Sequence, residues 1–380
     1  MNTPADAAVK LHRYLVGRHW SDRGLIGPDP GIRWNYRIGR FLKSYLGGSL
    51  WTDDLYYLQA QGYWTLDNWS LFARCGDTAC REIATGCCET MLARQRRDGA
   101  WEYPNREWRG RISETEGTWG SLGLLEGYRR TGNRRFLEGA LRWHEFLTTA
   151  IGFQRHGDAL AVNDFAGREG SPVPNASALA LRFLAELADA TGDDAYRRRC
   201  PGLLRFLETV QSPSGEFPYT VLNRFRQGRP HFQCFQYNAF QCLDLMRYFA
   251  LVNEKLPPWI DHFLNFLRTG VAPDGHAYYQ CGNRRRTVNY HTAVLAAALH
   301  SAGRLGFPGC REPADRACRC LLAQQRPDGG FPYSRGDYRF LRDQRSYPRY
   351  LAMILLHLLM LSDAGQCEPA RSAAPHVQAR

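Results

Sequence analysis

Lysine is nearly absent: Lys10, Lys43 and Lys255 are the three lysines among 49 basic residues, so arginine carries almost all of a net charge of +12. Arginine's planar guanidinium favours carboxylate and phosphate partners, and such a surface or cavity predicts an anionic ligand. Basic blocks longer than three or four residues are missing, as is any RNA-binding signature, which argues against nucleic acid as the partner. The first twenty residues, MNTPADAAVKLHRYLVGRHW, lack the continuous apolar core of a secretory signal. The longest apolar run, YLAMILLHLLML from Tyr350 to Leu361, is too short to span a bilayer and carries His357. A cytoplasmic protein without a transmembrane segment is the resulting expectation. Twelve cysteines in 380 residues are too sparse for a disulfide scaffold, and neither Cys87-Cys88 nor Cys318-Arg319-Cys320 has zinc-knuckle spacing.

What the chain does contain is a repeated turn. QRRDGAWEY (95 to 103) recurs as QSPSGEFPY (211 to 219) and QQRPDGGFPY (324 to 333). With APDGHAYY and the turn at Gly157, the glycines Gly99, Gly157, Gly215, Gly275 and Gly329 lie 58, 58, 60 and 54 residues apart. Asp bonds the backbone ahead of it and Gly accepts positive φ, so each turn reads as a structural staple with its aromatic tucked against the next unit. Amphipathic stretches precede the turns, as in AYRRRCPGLLRFLETV, and more apolar helical stretches follow them. Those second stretches start near Asp53, Glu116, Asn175, Gln233, Asn289 and Ser346. Gly132-Asn133 and Gly192-Asp193 read as the stop of one helix and the start of the next.

A period of this length built from paired helices predicts an all-α double ring of about six hairpins, with the apolar helices inside. The expected organisation is an N-terminal extension over 1–34, the α/α toroid over 35–362 and a loose C-terminal tail over 363–380. The Gln-x-x-Asp-Gly-x-aromatic turns at Gln95 to Trp101 and Gln325 to Phe331 resemble the repeats of the terpenoid cyclase and protein prenyltransferase toroids. Six-hairpin glycosidases, uronyl epimerases and polysaccharide lyases build similar rings.

In those families one end of the inner helices lines a central cavity. Here that rim holds Asp53, Asp54, Glu116, Trp119, Asn163, Asp164, Tyr237, Asn238, Tyr290, His291, Arg345, Tyr347 and Arg349. Polar residues at helix starts also serve as caps, and Asp53, Asn175 and Ser346 suit that duty. RQGRPHFQCFQYNAFQ and TVNYHTAVLAAAL resemble two segments of prenyltransferase β subunits, which act with a helical protein partner. The resemblance sets Cys234 at a zinc cysteine, His291 at a zinc histidine and Arg229 near a diphosphate arginine. The carboxylate ligand expected two positions before Cys234 is replaced by Phe232. His231, Cys234 and His291 form a substitute zinc set, with Cys281 as a fourth candidate. The class II cyclase Asp-x-Asp-Asp motif is missing, and Asp53-Asp54 is its nearest approach.

TVNYHTAVLAAAL also resembles the Tyr-His-Thr helix of glucuronyl C5-epimerases. That resemblance implies Tyr290, His291 and Glu116 as acid–base groups and Arg349 as the uronate anchor. Trp119, Tyr237 and Tyr347 suit a sugar face or an isoprenoid chain. Arg345 and Arg349 in DYRFLRDQRSYPRY suit a phosphate or carboxylate. The first expectation is an isoprenyl-diphosphate transferase or terpenoid cyclase-like enzyme binding an anionic substrate. The alternatives are a uronate-glycan epimerase, lyase or hydrolase, and a non-catalytic toroid scaffold.

Overall fold

The computed structural model describes residues 2–29, 54–105, 108, 110–167, 169–221, 228–338, 341–343 and 345–362. Twelve α-helices occur among them: α1 Pro4–Arg18, α2 Leu58–Cys75, α3 Thr78–Arg94, α4 Glu114–Thr131, α5 Arg134–Phe146, α6 Pro174–Thr191, α7 Cys200–Val210, α8 Cys234–Val252, α9 Trp259–Arg268, α10 Asn289–Arg304, α11 Arg311–Leu322 and α12 Pro348–Ser362. The even helices from α2 to α12 pack side by side in chain order, and α12 returns to α2 to close an inner ring. Each inner helix is backed by an outer helix, which makes the expected all-α double ring.

Inner-to-outer reversals use the predicted glycines. Gly76, Gly132 and Gly192 take the left-handed conformation at the ends of α2, α4 and α6. Asp77, Asn133 and Asp193 follow and accept backbone hydrogen bonds that start the next helix. Small residues let the inner helices touch closely: a Cβ on Gly62 of α2 would sit 2.1 Å from the Trp119 carbonyl oxygen of α4.

The repeated turn links neighbouring hairpins. Gln95 Nε2 donates to the carbonyls of Gly99 (2.9 Å) in its own turn and Gly139 (2.8 Å) on the next outer helix. Gln211 bridges Gly215 and Trp259 in the same way. In the turn without glutamine, Arg316 reaches back to the Ala272 carbonyl at 3.1 Å. Trp101 lies against Trp143, and Phe217 meets Phe263 edge-on at 4.7 Å. The turn glycines at 99, 215, 275 and 329 all press against an outer-helix carbonyl.

Gly157 departs from this pattern. It tips a β-hairpin of β3 Phe153–His156 and β4 Ala159–Val162, with open space where a Cβ would stand. Two other short ribbons pair β1 Trp20–Ser21 with β2 Gly24–Leu25, and β5 Ser334–Tyr338 with β6 Leu341–Asp343.

The sixth outer position is filled from the chain's beginning. Helix α1, started by Pro4 and a Thr3–Asp6 capping box, packs on α12. Gln325 donates to Gly329 (3.0 Å) and to Ala7 of α1 (2.9 Å), while His12 stacks on Trp64 and bonds Asn68 of α2. Residues 4–18 are thus part of the ring and not an extension outside it, because α12 needs a partner for its outward apolar face. The tail 363–380 lies outside the described residues.

Candidate active site

The inner helices are parallel. Arg74 near the end of α2 donates to the Leu359 carbonyl near the end of α12 (2.8 Å), and Arg129, Glu186 and Arg247 join the far ends of α4, α6 and α8. Six helix starts therefore gather at the end carrying the turns. Part of their polar content is structural. Gln61 pairs with both backbone groups of Leu25, Asn238 with both of Phe217, and Ser177 and Thr292 accept from Val162 and Ala277. Asn238 spends its remaining donor on the Cys234 carbonyl, so it clamps a loop and offers nothing to a ligand.

Tyrosines dominate the layer at the helix starts. Tyr219 and Tyr237 lie 5.0 Å apart, Tyr290 stacks on Tyr350 at 4.3 Å, and Tyr57 meets Tyr103 edge-on at 5.6 Å. Burial raises the hydroxyl pKa of Tyr237 and Tyr290 well above normal, with neighbouring tyrosines adding to it. His291 is buried, parallel to Tyr279 at 5.4 Å and edge-on to Tyr290 at 4.5 Å. Neither of its ring nitrogens has a hydrogen-bond partner among the described residues. Burial and the positive charge of Arg286, which lies 4.2 Å over Tyr279, hold it neutral.

Three carboxyl groups sit close to this layer. Burial lifts Glu116 to about 7, opposed by Arg349 and by the Gln59 amide that donates at 2.8 Å. Glu114 is lifted to about 8 by burial, with Thr118 countering through a 2.7 Å hydrogen bond. Asp164 is half-buried and lifted to about 6 by burial alone. The β3–β4 hairpin delivers it, and its carbonyl accepts the Glu114 amide at 2.9 Å. Its carboxyl has no ion pair among the described residues, and its charge acts on Tyr219 and Tyr237.

Other expected site residues have different surroundings. Arg349 is gripped by the buried Asp29 through two contacts of 2.9 and 3.1 Å and lies between Tyr57 and Tyr350. Its carboxylate-binding edge is thereby filled within the protein, so it does not stand ready for a uronate or phosphate. Asp54 is exposed and reaches Arg23 at 3.9 Å, outside the buried layer. Asp53 lies outside the described residues. Arg229 is exposed with its guanidinium 3.8 Å over Phe232, and Arg345 lies 5.2 Å over the buried Tyr347. Trp119 stacks on Tyr63 at 4.0 Å, and both line a cavity of about 260 Å³ that reaches Arg129, Glu186 and Arg247 at the far helix ends, opposite the tyrosine layer. His231 is exposed and bonds Glu216, and the Cys234 sulfur lies 3.4 Å from that of Cys281. The group of potential metal ligands among the described residues is Glu216, His231 and Cys281, which keeps His231 of the expected set and leaves out both Cys234 and His291.

Asp164 was on the expected rim, but its sequence neighbourhood gave it no role. Asp29 and Glu216 had no visible signal, since one sits in an irregular segment and the other in a turn read as structural. No described helix is long and apolar enough to cross a membrane.

No family model matches the sequence, and no curated protein matches it. Solved structures do match in fold. A possible member of GH105 family from Salmonella enterica has a TM-score of 0.67 at 15% identity, covering 94% of this chain and 93% of its own. Cellobiose 2-epimerase from Bacillus thermoamylovorans has a TM-score of 0.71 at 12% identity, with coverage of 94% and 98%. A glycosyl hydrolase family 88 protein from Bacteroides vulgatus has a TM-score of 0.59 at 10% identity, again covering 94% and 98%. The likeness supports the α/α toroid; it does not extend to the terpenoid cyclase superfamily that the turns resembled.

Proposed function

We propose that the chain is a glycan-processing enzyme acting on an acidic sugar, with Asp164 as general acid. The observation that carries this reading is Asp164 itself: a half-buried carboxyl lifted to about 6 by burial, without an ion pair among the described residues, beside Tyr219 and Tyr237. A general acid works best with a pKa near the working pH. Tyrosine rings offer flat apolar faces to a sugar and hydroxyls to its oxygens, and Arg286 brings positive charge to meet a carboxylate. The unpaired nitrogens of His291 would accept and donate hydrogen bonds to sugar hydroxyls. Glycosidase, lyase and epimerase toroids among the similar folds favour sugar chemistry over prenyl transfer.

The test incubates the protein with saturated and unsaturated uronate oligosaccharides and follows product mass and ultraviolet absorbance. Water addition, elimination and epimerisation give distinct signatures. Turnover lost in Asp164→Asn, with the circular dichroism spectrum unchanged, supports the reading. Full activity in that variant, or no turnover of any acidic sugar by the wild type, refutes it.

A further inference from the structure

We propose that Glu216, His231, Cys234 and Cys281 form a zinc site that fastens three loops at the rim of the ring. Ligand atoms of Glu216, His231 and Cys281 all lie within 4.8 Å of one another. His231 Nδ1 is 2.7 Å from Glu216 Oε2, and the sulfurs of Cys234 and Cys281 are 3.4 Å apart. Ligands at Zn–S of about 2.3 Å and Zn–N or Zn–O of about 2.0–2.2 Å stand roughly 3–4 Å apart around a tetrahedral ion. Cys234 lies beside Cys281 but outside that three-residue group, so its side chain must swing inward to become the fourth ligand. Two thiols, an imidazole and a carboxylate suit Zn²⁺ better than a hard oxygen-seeking cation.

The backbone supplies a separate argument. His231 and Gln233 have φ of 60° and 44°, and Asn253 is the other non-glycine residue with positive φ among those described. Left-handed backbone at two nearly adjacent residues is disfavoured unless something beyond the local sequence requires it. Here it turns His231 back onto the buried Glu216, whose carboxylate also accepts the His231 amide at 2.9 Å. Cys234 opens helix α8. Cys281 comes from the turn closed by Gln280 and Asn283.

The Gly215 turn and the segment entering α8 lie in the connection from α7 to α8, and the turn before α10 belongs to the next repeat. They carry Tyr219, Phe232 and Tyr279 of the tyrosine layer. A closed four-ligand site there is structural, fixing the mouth without a coordination position for substrate. The placement stands independently of the sugar-processing reading.

Protein purified under reducing conditions without chelator is assayed for metal, then stripped and loaded with cobalt. About one zinc per chain is expected, together with an intense sulfur-to-cobalt charge-transfer band and the visible spectrum of tetrahedral coordination. Cys281→Ser, Glu216→Gln and His231→Ala each lower zinc loading at least about tenfold, because an outer or missing ligand typically costs that much affinity. Cys318→Ser leaves loading unchanged. Should the variants fail to fold, the cobalt spectrum of the wild type decides. Reduced wild-type protein that takes up no zinc, or cobalt bound without the sulfur band, overturns the proposal. A Cys234–Cys281 disulfide that gives no zinc binding after reduction overturns it as well.

Discussion

Replacing Gly329 by alanine tests whether α1 truly closes the ring. Gly329 has φ of +89°, and a Cβ there would lie 2.5 Å from the carbonyl oxygen of Lys10 on α1. Holding alanine in left-handed backbone costs about 1–2 kcal/mol. Relieving the clash moves the turn away from α1 by roughly 1 Å, given that carbon contacts settle near 3.5 Å or beyond. That shift breaks the 2.9 Å bond from Gln325 to Ala7, worth about 0.5–1.5 kcal/mol. The combined loss is about 1.5–3.5 kcal/mol. Gly132→Ala is the control: its φ is +70° with nothing within 4 Å of the added carbon, so about 1–2 kcal/mol is expected. Urea unfolding followed by circular dichroism compares them, with limited proteolysis reporting release of α1. Gln325→Ala should lose much of its effect in the Gly329→Ala background, since both remove the same contact. Equal destabilisation by Gly329→Ala and Gly132→Ala would refute the contact between this turn and α1.

If Asp164 donates a proton, the active form is the protonated one, so turnover falls as pH rises through about 6. Asp164→Asn should lower kcat by about 10²–10⁴ and erase that limb of the pH–rate profile. Arg349→Met removes the ion pair with the buried Asp29 and should destabilise the fold by about 1–3 kcal/mol in urea unfolding, and adding Asp29→Asn should reduce that loss. Burial alone would raise the Glu186 carboxyl, yet Arg129, Arg247 and Arg182 together hold it far below the usual range. Its stabilisation is therefore present above its unfolded value of 4.5 and drains away as pH falls below that. Glu186→Gln should be less stable than wild type by about 3–5 kcal/mol at neutral pH, with the gap closing toward pH 2–3.

The ring was legible because its devices are local. Gly132-Asn133 stops one helix and starts another within two residues, and the Gln95 and Gln325 turns use short-range chemistry that leaves a written period. Helix α1 was harder to place: its partner α12 lies more than 300 residues away, and nothing in a local pattern pairs the two ends of a chain. Gly157 kept the period while changing the structure, because a β-hairpin and a helical turn can both place glycine at the reversal. At the mouth, residue types at helix starts located Tyr290, His291 and Glu116. Their partners came from loops, as with Asp29 for Arg349 and Glu216 for His231, and loop partners follow no period. A buried arginine with a bidentate acid reads in sequence exactly like one waiting for substrate.

Helix polarity explains where chemistry can reside. All six inner helices direct their positive ends to the mouth, which favours carboxylate anions by about 0.3–1 kcal/mol at each helix. Glu116 nevertheless moves from 4.5 to about 7, the net result of burial that outweighs Arg349 and the Gln59 amide, on the order of 3 kcal/mol at 1.36 kcal/mol per unit. Burial wins over the dipole there, and protons stay available near neutral pH. At the opposite end the negative helix termini meet Arg129 and Arg247, and these cations hold Glu186 ionised. One residue type thus takes opposite charge states at the two ends of the same barrel. The far end uses its charge to bind helices together. The helix-start end keeps carboxyl groups that can give up a proton, and Asp164, alone of the three, combines that property with partial exposure and no ion pair among the described residues.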